Sequence, residues 1–273
     1  MKIPRLFPIF AAATLGFSSL MLAQEEAPAE ADEEKIVPSW KLAFDNLEKE
    51  QRETYIKRMS EASRLFSQKR IIEALNEVAE ARKIFDQDPT SLNLIGACHV
   101  EFRNFDKART AFEDALKLQA EFLKDIEKLQ GDARIRRMRP VVNILFNLAE
   151  MDFVTHRWQD CHDRIEKIMP DLDPNNASMG RLIEFKYMLC KLKIDQVDKA
   201  RELAEKYDYL DDHPYYYYAN SAIAYFDGKE LEAERWRNSA RRVFRRAAVL
   251  APWEDTMIEF GFVKSFYGGV SED

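Results

Sequence analysis

Residues 90–120 read TSLNLIGACHVEFRNFDKARTAFEDALKLQA, and this stretch decides the fold. Leu92, Ile95, Gly96 and His99 recur at helical spacing, followed by Ala108, Phe112 and Ala115 on a second periodic segment. Small residues at Gly96, Ala108 and Ala115 let two antiparallel helices approach closely, while Leu92 and Phe112 fill the space beside them. One 34-residue period upstream, the same three places hold Ala62, Ala74 and Ala81, with Leu65 and Val78 in larger slots. A recurrence of three registered small positions marks an internal repeat.

The stretch resembles a tetratricopeptide repeat (TPR), whose first helix carries W-x2-L-G-x2-Y and whose second carries A-x3-F. Here the pattern is carried by Leu92, Ile95, Gly96, His99, Ala108 and Phe112. The upstream unit departs from it at Arg58 and Glu61, where bulky apolar residues are expected. Downstream, Leu145, Leu148, Ala149, Cys161 and Ile165 form a third unit, after a longer stretch from Lys124 to Pro140. Tyr187, Met188, Ala200 and Ala204 form a fourth; Tyr218, Ala222, Tyr225, Ala233, Trp236 and Ala240 form a fifth, turning at Gly228. The resemblance implies an all-α, TPR-type α-solenoid of antiparallel helix pairs, an array of about five repeats over residues 55–245.

The flanking segments follow from composition. Residues 1–23 read as a secretory signal, with Lys2 and Arg5 ahead of an uncharged, largely apolar run and Ala23 before Gln24. An uncleaved membrane anchor is the alternative, and membrane contact is expected only in that case. Residues 24–38 are an acidic tether rich in Glu, Ala and Pro. Residues 39–54 form an N-terminal helix, with Ser39 as its cap and Trp40, Leu42, Phe44 and Leu47 as its apolar contacts. Residues 246–273 supply a C-terminal capping helix and tail; Leu250, Trp253, Met257 and Phe260 are spaced to cover the open face of the last repeat, with an interruption at Pro252.

The body contains few glycines, and Pro89, Pro140, Pro170, Pro174, Pro214 and Pro252 punctuate the periodic stretches as links between helices. No period-two alternation calls for a sheet. The formal charge of −7 argues against nucleic-acid binding, and loss of residues 1–23, which hold two bases and no acid, makes the remainder more acidic. Cys98, Cys161 and Cys190 fall inside expected helices and read as packed thiols, and no cysteine follows the apolar run to carry a lipid.

In TPR proteins the first helices line a concave groove, and the resemblance places Phe66, Asn93, Phe146, Phe153, Phe185, Leu189, Tyr216 and Phe226 along it. Met59, Ser63, Ala97 and Val100 accompany them. An aromatic, apolar groove fits a protein or peptide segment bound through hydrophobic anchors; packing between repeats is the competing reading for each ring. The carboxylate clamp of some TPR modules is missing, since Met59, Ser63 and Leu94 stand at the comparable places.

A second candidate site is a basic patch of Arg237, Arg241, Arg242 and Arg245, which either meets an acidic partner or balances neighbouring acids; Arg134, Arg136, Arg137 and Arg139 form a smaller one. His156, Cys161 and His162 lie close in sequence but lack a fourth ligand at metal-site spacing, so no metal or cofactor is expected. No nucleophile, base and orienting group recur together, so no catalytic residue is assigned. Of Tyr215, Tyr216, Tyr217 and Tyr218, at least one must face away from the core, because consecutive helical residues are about 100° apart. The expectation is an exported, non-enzymatic protein-binding scaffold of the periplasm or cell envelope. The alternatives are a self-assembling envelope component, using the apolar face around Trp253 and Phe260, and an enzyme whose site the sequence does not register.

Overall fold

The structure, a computed structural model, describes residues 36–264. The expected export signal, most of the acidic tether and the C-terminal tail beyond Lys264 lie outside the described residues. Thirteen α-helices and no strand occur among the described residues. They are α1 Ser39–Asp45, α2 Lys49–Ser67, α3 Ile71–Arg82, α4 Pro89–Glu101, α5 Phe105–Lys117, α6 Ala120–Ile126 and α7 Gly131–Val154. Then follow α8 Trp158–Ile168, α9 Ala177–Lys193, α10 Val197–Ala204, α11 Tyr215–Phe226, α12 Glu230–Val243 and α13 Ala247–Phe260. Among the described residues the arrangement is all-α, built from antiparallel helix pairs.

Five of these pairs share one turn. The helices α2/α3, α4/α5, α7/α8, α9/α10 and α11/α12 are joined through Lys69, Arg103, His156, Asp195 and Gly228, each with φ between 56° and 74°. After each turn residue, the next N–H reaches five residues back: Arg70 to Leu65, Asn104 to His99, Arg157 to Asp152, Gln196 to Lys191 and Lys229 to Ala224. This is the left-handed helix ending that satisfies otherwise orphaned carbonyls and reverses the chain. Only the last of the five turns uses glycine, so the other four hold a side chain in a region that disfavours it.

Counting from each turn aligns the pairs by geometry. Five residues after the turn stand Ala74, Ala108, Cys161, Ala200 and Ala233, all wholly buried. Seven residues before it stand Ala62, Gly96, Ala149, Met188 and Ser221, and nine after it Val78, Phe112, Ile165, Ala204 and Arg237. The last two sets vary inversely in size through the first four pairs, Ala with Val or Ile, Gly with Phe, Met with Ala, as close packing of facing helices demands. In the fifth pair the small place belongs to Ser221 rather than Ala222, and its Oγ donates to the Ala233 carbonyl at 2.9 Å.

Two compact units divide the described chain at Leu148/Ala149. In the first, α1 folds onto α2 through Phe44, Tyr55 and Phe85, whose rings meet edge to face at 5.3–5.9 Å. Tyr55 donates to Asp88 at 2.7 Å, and Asp88 in turn caps α4 at Thr90 N–H. The expected single helix over 39–54 is broken at residues 46–48, because Glu48 and Gln51 form a capping box that starts α2 at Lys49. Ser39 is the first residue of α1 and Pro38 its cap. Two prolines expected as links lie within helices, Pro140 in α7 and Pro252 in α13.

The second unit holds α8 to α13 with the last residues of α7. Its central helix is α9, buried without a break from Leu182 to Leu192. It lies against α8, α10, α11 and α13. A helix enclosed on all sides explains why its sequence lacks a polar face.

Candidate functional site: the face covered by the C-terminal helix

The sequence places α13 over the open face of the last repeat. It touches α11 and α12 of that pair and also runs back across α9 and α7. Trp253 sits against Phe185 of α9 with ring centroids 5.3 Å apart, and against Tyr218 and Tyr215 of α11 at 5.8 and 6.3 Å. Two turns further on, Phe260 stacks on Phe153 of α7 at 6.1 Å and meets the edge of Trp158 at 5.2 Å. The apolar stripe of α13 finds aromatic surface on α7, α9 and α11.

Charges are buried beneath the same helix. Lys186 of α9 lies 3.2 Å from Glu150 of α7 and 3.2 Å from Glu259 of α13, and its ammonium sits 4.2 Å above the Phe153 ring. Side-chain exposure is 3%, 7% and 8% for Lys186, Glu150 and Glu259, so the three form a desolvated triad. Burial alone lowers the Lys186 pKa, yet Glu150 and Glu259 hold it above its usual value. Burial pushes Glu150 up, and Glu259 to about 7, against the pull of Lys186. Asp255, one turn earlier on α13, is pushed up to about 7, mainly by burial.

Glu254 makes the outer edge of this contact. It accepts hydrogen bonds from Tyr218 at 2.7 Å, from Arg237 Nε at 3.2 Å and from Arg241 at 3.0 Å. Arg237 also pairs with Glu234 and donates to the Tyr225 hydroxyl. At the other end, the Lys193 ammonium lies 4.8 Å from the Phe260 ring centroid.

Most of the groove residues expected from sequence are therefore not open to solvent. Phe153, Phe185 and Leu189 are wholly buried in the second unit, the first two directly beneath α13. In the first unit Phe66 joins the core with Leu94, Ala97 and Cys98, and Phe146 is buried as well. Asn93 is buried and accepts from Asn147 at 2.8 Å. Met59, Ala97 and Val100 are also buried. Tyr216 is half-buried against Trp236, and Phe226 is 41% exposed; of the eight candidate groove residues, these two reach water. Tyr215 and Tyr218 point inward, as one side of a helical tyrosine run must.

The basic patch divides in the same way. Arg237 and Arg241 are bonded to Glu254, the balancing of a neighbouring acid that was one of the two readings, while Arg242 and Arg245 are exposed. The apolar face around Trp253 and Phe260, expected to be available to a second copy, is turned inward and buried. In the first unit Arg137 donates to the Ile36 carbonyl at 2.7 Å.

His156 stacks on Trp158, and Cys161 is buried with its thiol raised by a hydrogen bond with Cys190 and by burial. His162, Asp163 and Glu166 are the His and acid side chains that cluster closely enough for a cation among the described residues. However, the Lys191 ammonium stands 2.9 Å from His162 Nε2, and Asp163 takes Nδ1 at 2.9 Å. Both ring nitrogens of His162 are thus already partnered.

The signal for this site was present in the sequence as lysine and glutamate inside otherwise apolar helical runs. Glu150, Lys186 and Glu259 each interrupt such a run, and an interrupting charge on a buried helix needs a partner.

No protein-family model and no curated protein matches the chain. Among solved structures the chain is similar to YrrB, described as a TPR protein with an unusual peptide-binding site. The identity is 13% and the TM-score 0.47, over 78% of this chain and 96% of that one.

Proposed function

We propose that the protein is an exported, non-enzymatic scaffold of the periplasm or cell envelope that recruits a protein or peptide segment on the first-helix face of its helix pairs. The observation that carries this reading is α13 itself. A 14-residue helix is already seated across Phe153, Phe185 and Tyr218 by aromatic anchors and buried charge pairs. A face able to hold one helix this way has the chemistry of helix-in-groove recognition. Export is supported by the composition of residues 1–23.

Because Phe146, Phe153 and Phe185 are core residues, replacing them would test folding rather than binding. Tyr216 and Phe226 are accessible and serve better. Capture of partners from an envelope extract is expected to fall with Tyr216→Ala and Phe226→Ala combined, while thermal stability stays within about 1 kcal/mol. Undiminished capture by that variant would remove the groove from the proposal. N-terminal sequencing of the protein recovered from cells is expected to begin at Gln24; an intact Met1 in a cytosolic fraction would contradict export.

A further inference from the structure

The groups that the second unit turns toward α13 are of two kinds. Phe153, Phe185 and Tyr218 offer ring surface, whereas Lys186, Arg237, Arg241 and the Tyr218 hydroxyl offer positive charge or hydrogen-bond donors. The complement on α13 is an aromatic followed by an acid, Trp253–Glu254, and an acid followed by an aromatic, Glu259–Phe260. The two aromatics stand seven residues apart, about two turns along one face of the helix.

As an occupant α13 is imperfect. Pro252 lies inside it and cannot supply the N–H that its second turn needs. Its attachment to α12 is a non-helical link at residues 244–246, with Phe244 and Arg246 in extended conformations and Arg245 and Arg246 exposed. It brings Asp255 and Glu259 toward a single lysine that already has Glu150 beside it, so the acids outnumber the base. Burial pushes both carboxyls up to about 7, the direction that lessens this imbalance.

We propose that the face formed by α7, α9 and α11 is a recognition site for an acidic, aromatic amphipathic helix from a partner, with α13 as its internal stand-in. The occupant carries two aromatic anchors seven residues apart, each with an acid next to it on the inner side. A partner helix lacking the proline and one of the surplus acids displaces α13, which swings out on residues 244–246. This rests on the scaffold reading above and specifies its ligand.

The test uses the full chain and a fluorescein-labelled peptide of residues 247–260 with Pro252→Ala. Binding is followed by anisotropy to the unaltered chain and to its Glu259→Lys variant, in which a second cation faces Lys186 and α13 is driven off. The peptide is expected to bind the variant at least tenfold more tightly than the unaltered chain. In the unaltered chain, saturating peptide is expected to speed amide exchange across residues 247–260 and leave α2–α5 unchanged. Should Glu259→Lys lose its helical circular dichroism, the exchange measurement on the unaltered chain decides. Binding to neither chain overturns the proposal, as does binding that leaves residues 247–260 fully protected. Capture of a partner from extract alongside a peptide that never binds would sink this inference and leave the scaffold reading standing.

Discussion

The ring of Phe112 fills the space that a side chain at Gly96 would need: a methyl group there would lie 2.3 Å from Cε1 and 2.6 Å from Cδ1. Phe112 is 1% exposed and has no room to retreat. Gly96→Ala gains roughly 1 kcal/mol of helix propensity, but overpacking of this kind costs about 1–3 kcal/mol. A net destabilisation of the first unit is expected in urea unfolding. The other pairs name the remedy, since Ala62 faces Val78 at the same two places. Gly96→Ala combined with Phe112→Val is expected to be more stable than the sum of the single effects by on the order of 1 kcal/mol. Strict additivity would mean that the two residues do not share one space.

The shared turn makes a second prediction, separable from packing. A methyl group at Gly228 would meet nothing within 4 Å, so Gly228→Ala loses only the ease with which glycine adopts φ 74°. The expected cost is about 1 kcal/mol. Arg103 adopts φ 56° on an exposed turn, and its guanidinium lies 5.6 Å from the Phe105 ring. Arg103→Gly is expected to gain a few tenths of a kcal/mol, the backbone relief being partly offset by the lost ring contact. Thermal melts of both variants check the pair; a stabilised Gly228→Ala together with a destabilised Arg103→Gly would contradict the assignment of these turns.

Removing the base from the buried triad has a predictable direction. Lys186→Met leaves Glu150 and Glu259 without their ion partner in a desolvated place, at an expected cost of about 3–5 kcal/mol. Adding Glu150→Leu and Glu259→Met is expected to restore most of that loss. Failure of the triple variant to recover would show that Lys186 matters for its shape and not for its charge.

The pH dependence follows from the acids of α13. Glu259 and Asp255 are raised in the folded chain to about 7 from ordinary values of 4.5 and 3.8, chiefly by burial. A raised folded pKa means the folded state holds its proton longer, so their contribution is complete in acid and is lost as pH rises through about 7. The charged groups that act on them are Lys186 of α9, Glu150 of α7 and, on α13 itself, Glu254. The urea midpoint of the second unit is expected to fall between pH 5 and pH 8. Glu259→Gln is expected to flatten that slope, and an unchanged slope would exclude this carboxyl as its source.

The helix pairs were legible because close approach of two helices demands small side chains at fixed places, and Ala62, Gly96, Ala74 and Ala108 declare those places by identity alone. The fifth pair was misread by one residue in its first helix, since Ala222 and Ser221 are both small and buried and only the turn at Gly228 distinguishes them. The break at residues 46–48 depends on a capping box headed by Glu48, a residue that also sits comfortably within helices.

The site was legible in composition and not in accessibility. Phe153 and Phe185 stand among the anchors that the sequence offers and Tyr218 does not, and the stripe of Leu250, Trp253, Met257 and Phe260 says only that α13 has a face to cover, never which face. Long-range choice between two apolar surfaces is settled by ring geometry and by the partners of Lys186 and Glu254, which no local spacing encodes.

The position of α13 is tested most directly by nuclear Overhauser effects in the full chain with selectively labelled tryptophan, phenylalanine and tyrosine. Cross-peaks from the Trp253 indole to the Phe185 and Tyr218 rings are expected, matching centroid separations of 5.3 and 5.8 Å. Cross-peaks from Trp253 to α12 alone, with none to Phe185, would contradict the placement of the C-terminal helix across the first-helix face.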